Sequence, residues 1–136
     1  MPRALPHPPP ASLTVPAILL VEHDPHEAMF VHSLMVDVLK ADVWLWHEEK
    51  LGPALKLLSI VQFRLILLDL DLPGISARKA VRSVRTVAPD TPLMLRMRPE
   101  AFQPGLDPRV YQADALAPKG RGEPVVSMVR RLLTGR

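Results

Sequence analysis

The residues able to do chemistry in this sequence stand at the ends of short apolar runs. Glu22, His23 and Asp24 follow Ala17-Ile-Leu-Leu-Val21. Asp69 closes the run Phe63–Leu68, with Asp71 just beyond it. Arg96 and Arg98 flank Met97, and Lys119 follows Pro118. Carboxylates in such places can ligate a cation, attack as nucleophiles or simply cap an element, and an ammonium beside them can pair with them or with an anion. Which of these applies depends on a scaffold that brings 22–24, 69–74, 97–98 and 118–119 together. The sequence has no Cys, which excludes a thiolate metal site, a cysteine nucleophile and a disulfide framework.

The hydrophobic pattern supplies that scaffold. Ala17–Val21 reads as a strand with no polar face. Asp24 is a helix N-cap with Pro25 at the first helical position, and Phe30, Leu34 and Val38 recur at helical spacing as far as Lys40. Asp42–Trp46 reads as a second strand, with Trp44 and Trp46 packed under helices, and Ala54–Ile60 as a second helix. After the strand Phe63–Leu68, Pro73-Gly74 forces a turn and Ser76 caps a helix with Ala80, Val81, Val84 and Val87 inside. Arg78, Lys79, Arg82 and Arg85 form its solvated face. Pro92–Met97 and Ala113–Ala117 read as strands four and five, and Val125–Leu133 as a last helix. Between those two strands Pro99, Pro104, Gly105 and Pro108 leave room only for a short or broken helix. Five strands alternating with five helices imply parallel βαβ units with right-handed crossovers, and a parallel sheet covered on both faces. In such a sheet chemistry sits beyond the carboxyl ends of the strands.

Composition narrows the class further. The 136 residues suffice for one domain, expected over 17–136, preceded by a proline-rich disordered tail over 1–16. No apolar run approaches the ~20 residues of a membrane helix, and prolines occupy the place of a signal-peptide core, so a cytoplasmic protein without a membrane partner is expected. Residues 1–63 carry 4 Lys/Arg against 7 Asp/Glu, and residues 64–136 carry 13 against 7. These cations are scattered and lack interleaved aromatics, so solvated helix faces explain them better than nucleic-acid binding.

Over 17–134 the sequence resembles a bacterial response-regulator receiver domain of two-component signalling, in a diverged form. The likeness rests on Ile18-Leu-Leu-Val-Glu-His-Asp-Pro25, on Leu65-Ile-Leu-Leu-Asp-Leu-Asp-Leu-Pro-Gly74, and on Ala113-Asp114 followed by Lys119 at the family interval. It implies a flavodoxin-like (βα)5 fold, α/β and doubly wound, with strand order 2-1-3-4-5. It also implies that Asp69 is the phosphoacceptor position, receiving a phosphoryl group from a kinase phosphohistidine. Glu22, Asp69 and the backbone carbonyl of Asp71 then stand where Mg²⁺ is held, and Lys119 where an ammonium pairs with the acyl phosphate.

The departures from the pattern bear on function. His23 replaces the carboxylate that usually binds Mg²⁺ directly, a weak substitute because Mg²⁺ selects oxygen; a filler role or a softer metal are the readings left for it. The two switch positions map onto Met97, which has no hydroxyl, and Leu116, which is not aromatic. Lys119 is followed by Gly120 instead of proline. Arg98 is expected to reach Asp69 or Asp71 as a charge neutraliser, or to lie exposed in a loop. Asp24 is either the helix cap or a replacement ligand.

Two functions follow. The first is a stand-alone, non-enzymatic receiver in which phosphorylation at Asp69 is impaired or lost, Mg²⁺ binding is weakened, and signalling runs through protein contacts. The alternative is a fully competent Mg²⁺-dependent phosphoacceptor. The partners implied are a sensor histidine kinase or another signalling protein, docked on the fourth helix, fifth strand and fifth helix. A homodimer through Val125, Val126, Met128, Val129, Leu132 and Leu133 is a further expectation.

Overall fold

The structure, a computed structural model, describes residues 15–40 and 43–134. Five parallel strands form one sheet: β1 (Ala17–Val21), β2 (Trp44–Glu48), β3 (Leu65–Asp69), β4 (Leu93–Met97) and β5 (Ala115–Pro118). Their order across the sheet is β2-β1-β3-β4-β5, the doubly wound arrangement expected. Every residue of β1, β3 and β4 is buried. That explains why these strands are apolar throughout instead of alternating.

Among the described residues, four α-helices cover the sheet. On one side α1 (Pro25–Ser33) and α4 (Glu123–Leu133) pack Ala28, Val31, Val125, Met128 and Val129 onto Ile18, Leu20, Leu65, Leu67 and Met94. On the other, α2 (Leu51–Leu58) and α3 (Ala77–Val87) pack Ala54, Leu57, Ala80, Val81 and Val84 onto Leu19, Ile66, Leu68, Leu93 and Leu95. Trp46 is buried in this second layer and Trp44 packs against it, as expected. The caps are those the sequence offers: Asp24 accepts the His26 N–H at 2.9 Å and Ser76 that of Lys79 at 3.2 Å.

Several expectations change. The expected tail over 1–16 lies outside the described residues as far as residue 14, and at its end the Pro16 carbonyl accepts the Trp44 N–H at 2.8 Å, just ahead of β1. Asp42, the expected start of β2, is also outside the described residues. The strand runs on through His47 and Glu48 because its partner register, Ala17↔Trp44 to Val21↔Glu48, follows β1 to its end. The first helix becomes α-helical only to Ser33 and continues as a wider π-type turn over Leu34–Val38. Instead of a fifth helix, two 3₁₀ turns, Pro99–Ala101 and Pro108–Tyr111, join β4 to β5. The prolines there supply no N–H to an α-helical ladder. The expected docking face therefore lacks its fourth helix.

The last helix turns most of its apolar residues inward. Val125, Met128 and Val129 are core, and Val126 and Leu132 pack against it, leaving Leu133 exposed among the six. Arg85 departs from the solvated face assigned to it: its side chain donates to the carbonyls of Ala88, Thr91 and Gln112 and pairs with Asp114, tying the end of α3 to the β4 and β5 approaches.

Candidate functional site

The carboxyl ends of β1, β3, β4 and β5 converge on one rim, and all the strand-end groups singled out in the sequence lie there. Asp69 is the last residue of β3 and is fully buried. Its register partner on β4 is Arg96. Glu22, one residue beyond β1, is fully buried as well. Lys119 leaves β5 with its N–H on the Met97 carbonyl at 2.8 Å.

Lys119 Nζ bridges the two carboxylates, 2.8 Å from Asp69 Oδ1 and 2.9 Å from Glu22 Oε2. Asp69 Oδ1 also accepts the Asp71 N–H at 2.7 Å. On the other oxygen, His23 Nδ1 lies 2.5 Å from Asp69 Oδ2. An ionised carboxylate only accepts, so Nδ1 carries the hydrogen and donates. Glu22 Oε1 faces Arg96 Nη1 at 3.3 Å, and Oε2 accepts the Asp24 N–H at 3.2 Å besides Lys119. The second terminal nitrogen of Arg96 pairs with Glu27, from the first turn of α1, and Glu27 Oε2 accepts the Gly120 N–H at 3.1 Å. Gly120 has φ +82°, a conformation glycine adopts without strain, and a proline there would lack the N–H that Glu27 uses.

The electrostatics follow from depth. Burial pushes the Glu22 carboxyl up to about 7, against the Lys119 hydrogen bond and with repulsion from Asp69 adding to it. For Asp69 burial acts upward too, but hydrogen bonds from Lys119, His23 and the Asp71 N–H outweigh it and hold the carboxyl below the usual aspartate value. Burial works against the Lys119 ammonium, yet its bonds to Asp69 and Glu22 keep it above the ordinary lysine value. Asp69 is thus an ionised carboxylate held against an ammonium at neutral pH.

Around this pair opens a cleft of about 900 Å³ lined by His23, Asp24, Glu27, Asp71, Arg98 and Lys119. Glu22, His23 and Asp69 each present a ligand atom within 4.8 Å of the others, which brackets one candidate metal position. The donor set as it stands fits Mg²⁺ poorly. All four oxygens of Glu22 and Asp69 already accept from protein donors, and the third atom is an imidazole nitrogen occupied by its own hydrogen, whereas Mg²⁺ takes oxygen in a near-ideal octahedron.

The remaining candidates sort as follows. Asp24 serves as the helix cap and lines the cleft without joining the cluster. Arg98 reaches Asp71 and not Asp69, through its backbone N–H at 3.1 Å and its Nε at 3.3 Å, with the side chain 60% exposed. Met97 is buried and does not line the cleft. Alternation turns it to the side of Leu93 and Leu95, so the strand-four end that faces the cleft is Arg98, one residue on. Leu116 is half-buried against the α2–α3 layer. The sequence singles out Arg96 without giving it a role, and Glu27 not at all. The signal that could have found them is the charge itself: an arginine inside an otherwise apolar buried strand needs a carboxylate partner at depth.

Compared by sequence, the chain matches no protein-family model and no curated protein. Compared by structure, it has the fold of response-regulator receiver domains. The response regulator TrrA of Thermotoga maritima, solved in complex with Mg²⁺-BeF, superposes with a TM-score of 0.67 at 21% identity, over 87% of this chain and 99% of that one. The same regulator in complex with the histidine kinase ThkA gives 0.69 at 22%, over 88% and 99%. A redox sensor of the streptococci, from a family described as evolved from two-component response regulators, gives 0.69 at 23%, over 89% of this chain and 52% of that one.

Proposed function

We propose that this protein is a diverged receiver domain of two-component signalling, acting through protein contacts, in which phosphoryl acceptance at Asp69 and Mg²⁺ binding are weakened. The observation that carries the reading is the internal occupation of the acidic pocket. Arg96 and His23 already neutralise or hydrogen-bond the carboxylates that a receiver presents to a cation and a phosphoryl donor. An incoming phosphoryl group brings two negative charges close to Asp69, and the divalent ion that offsets them elsewhere meets a poor ligand set here. No strand-end hydroxyl stands by to bind the phosphoryl oxygens, because Met97 and Arg98 occupy that end of β4.

The partner class is a sensor histidine kinase or another signalling protein, in keeping with the kinase complex of the T. maritima regulator. The protein is a binding and relay module and carries no enzymatic activity on a separate substrate. The streptococcal redox sensor, described as evolved from response regulators, supports the idea that this fold is reused for other signals. The surviving Asp69–Lys119 pair at 2.8 Å favours the second reading, a competent phosphoacceptor.

Incubation with acetyl phosphate and Mg²⁺, followed by intact-mass measurement with Asp69→Asn as control, decides between them. A diverged receiver yields less than about a tenth of the adduct that a competent receiver forms in parallel. A stoichiometric adduct abolished by Asp69→Asn overturns that reading in favour of the second.

A further inference from the structure

The pocket contains a cation that the receiver pattern does not call for. Arg96 is a β4 residue with no solvent exposure, in a strand whose other members are all apolar. Burying an unpaired guanidinium costs several kcal/mol, so its persistence requires partners at depth. Those partners come from two separate elements: Glu22 beyond β1 and Glu27 on α1. Its Nε is buried with no hydrogen-bond partner among the described residues, so the two terminal nitrogens carry the whole interaction. Register brings this about. Arg96 is opposite Asp69 on β3, on the same face as Met94, and the long side chain reaches past β3 to Glu22.

With Glu22 ionised, as a bound cation would require, Glu22, Glu27 and Asp69 bring three negative charges, and Arg96 and Lys119 two positive ones. A divalent ion added to this set overshoots neutrality in a buried place, where excess charge is most costly. Without the guanidinium, the same ion would restore it. Arginine stays charged at every accessible pH and cannot dissociate from the fold, which a bound ion can.

We propose that Arg96 is the resident counter-ion of this pocket, a guanidinium built into β4 that takes the charge-compensating place a divalent cation would otherwise fill. The inference rests on the diverged-receiver reading and gives its physical cause. It makes the ordered pocket independent of metal, and it sets Mg²⁺ and Arg96 in competition for the Glu22 carboxylate.

Calorimetric Mg²⁺ titration and thermal melts in 10 mM MgCl₂ against EDTA test it on the full chain. The unmodified protein melts within about a degree in both media; a rise of several degrees with Mg²⁺ overturns the proposal. Arg96→Gln keeps hydrogen-bond donors for Glu22 but removes the charge. It should bind Mg²⁺ at least about tenfold more tightly than the unmodified protein and gain melting temperature with the ion. Arg96→Lys keeps the charge and should gain neither. Equal Mg²⁺ affinity in the Gln variant and the unmodified protein sinks the proposal, and so does an equal gain in the Lys variant. Should Arg96→Gln not fold, the melts of the unmodified protein still decide. Acetyl phosphate labelling of the unmodified protein reports separately on the diverged-receiver reading: an unlabelled protein whose Arg96→Gln variant gains no Mg²⁺ loses only the counter-ion role.

Discussion

Arg96 and Arg98 stand two positions apart on β4 and its exit, and they do different work. Arg96 is wholly buried between Glu22 and Glu27; Arg98 is 60% exposed beside Asp71. Both are arginine–carboxylate pairs at the same rim. The first is held where water cannot replace the guanidinium, so loss of the cation strands the buried Glu22 carboxylate. The second sits in solvent, where water solvates whatever is left behind. Depth, not residue type, therefore decides which arginine governs the pocket.

The sharpest way to break this comparison is truncation at both positions. Arg96→Ala should destabilise the fold by about 3–5 kcal/mol in urea denaturation, because Glu22 is left buried with one cation fewer. A loss below about 1 kcal/mol would show that the pocket relaxes and admits water, and the contrast would dissolve.

A second prediction sharpens it through pH. The Glu22 carboxyl is raised by folding from 4.5 to about 7, so the folded state binds a proton that the unfolded chain has released. Its contribution is fully present below pH 4.5 and is lost as pH rises through 7. Asp69, lowered by folding, acts in the opposite sense and only below 3.8. Stability measured from pH 4.5 to 8 should fall across that window, and Glu22→Gln should flatten the fall. An unchanged slope in Glu22→Gln would assign the dependence to another group.

The smallest effect is expected at the exposed member. Arg98→Ala should change stability by about 0.5 kcal/mol or less and leave Mg²⁺ affinity within about twofold of the unmodified protein. A large rise in Mg²⁺ affinity in this variant would make Arg98, and not Arg96, the neutralising charge.

Much of this was legible before any coordinates. The apolar runs ending in Glu22 and Asp69 defined strands because no other element buries every side chain of so short a segment, and Asp24-Pro25 and Ser76 marked helix starts by their own hydrogen-bonding chemistry. The convergence of Asp69 and Lys119 was expected and is found at 2.8 Å. What the sequence leaves open is which side of β4 faces the rim. Arg98 is found at Asp71, one of its two expected partners, and Met97 is buried away from the cleft. One residue of register reverses that side, and the sequence carries no measure of it. The apolar stripe of α4 likewise could not reveal whether it met the core or a second chain.

What the sequence by itself determined is the order of elements and the identity of the groups at the strand ends, since both follow from local pattern: burial of whole strands, capping oxygens, and prolines that interrupt the segment between β4 and β5. Only the tertiary structure decided that Arg96 and Glu27 join the Asp69–Lys119 pair. Arg96 and Glu27 lie far apart along the chain, and pairing β4 with β3 while laying α1 across the rim is what places a guanidinium between two carboxylates out of reach of water.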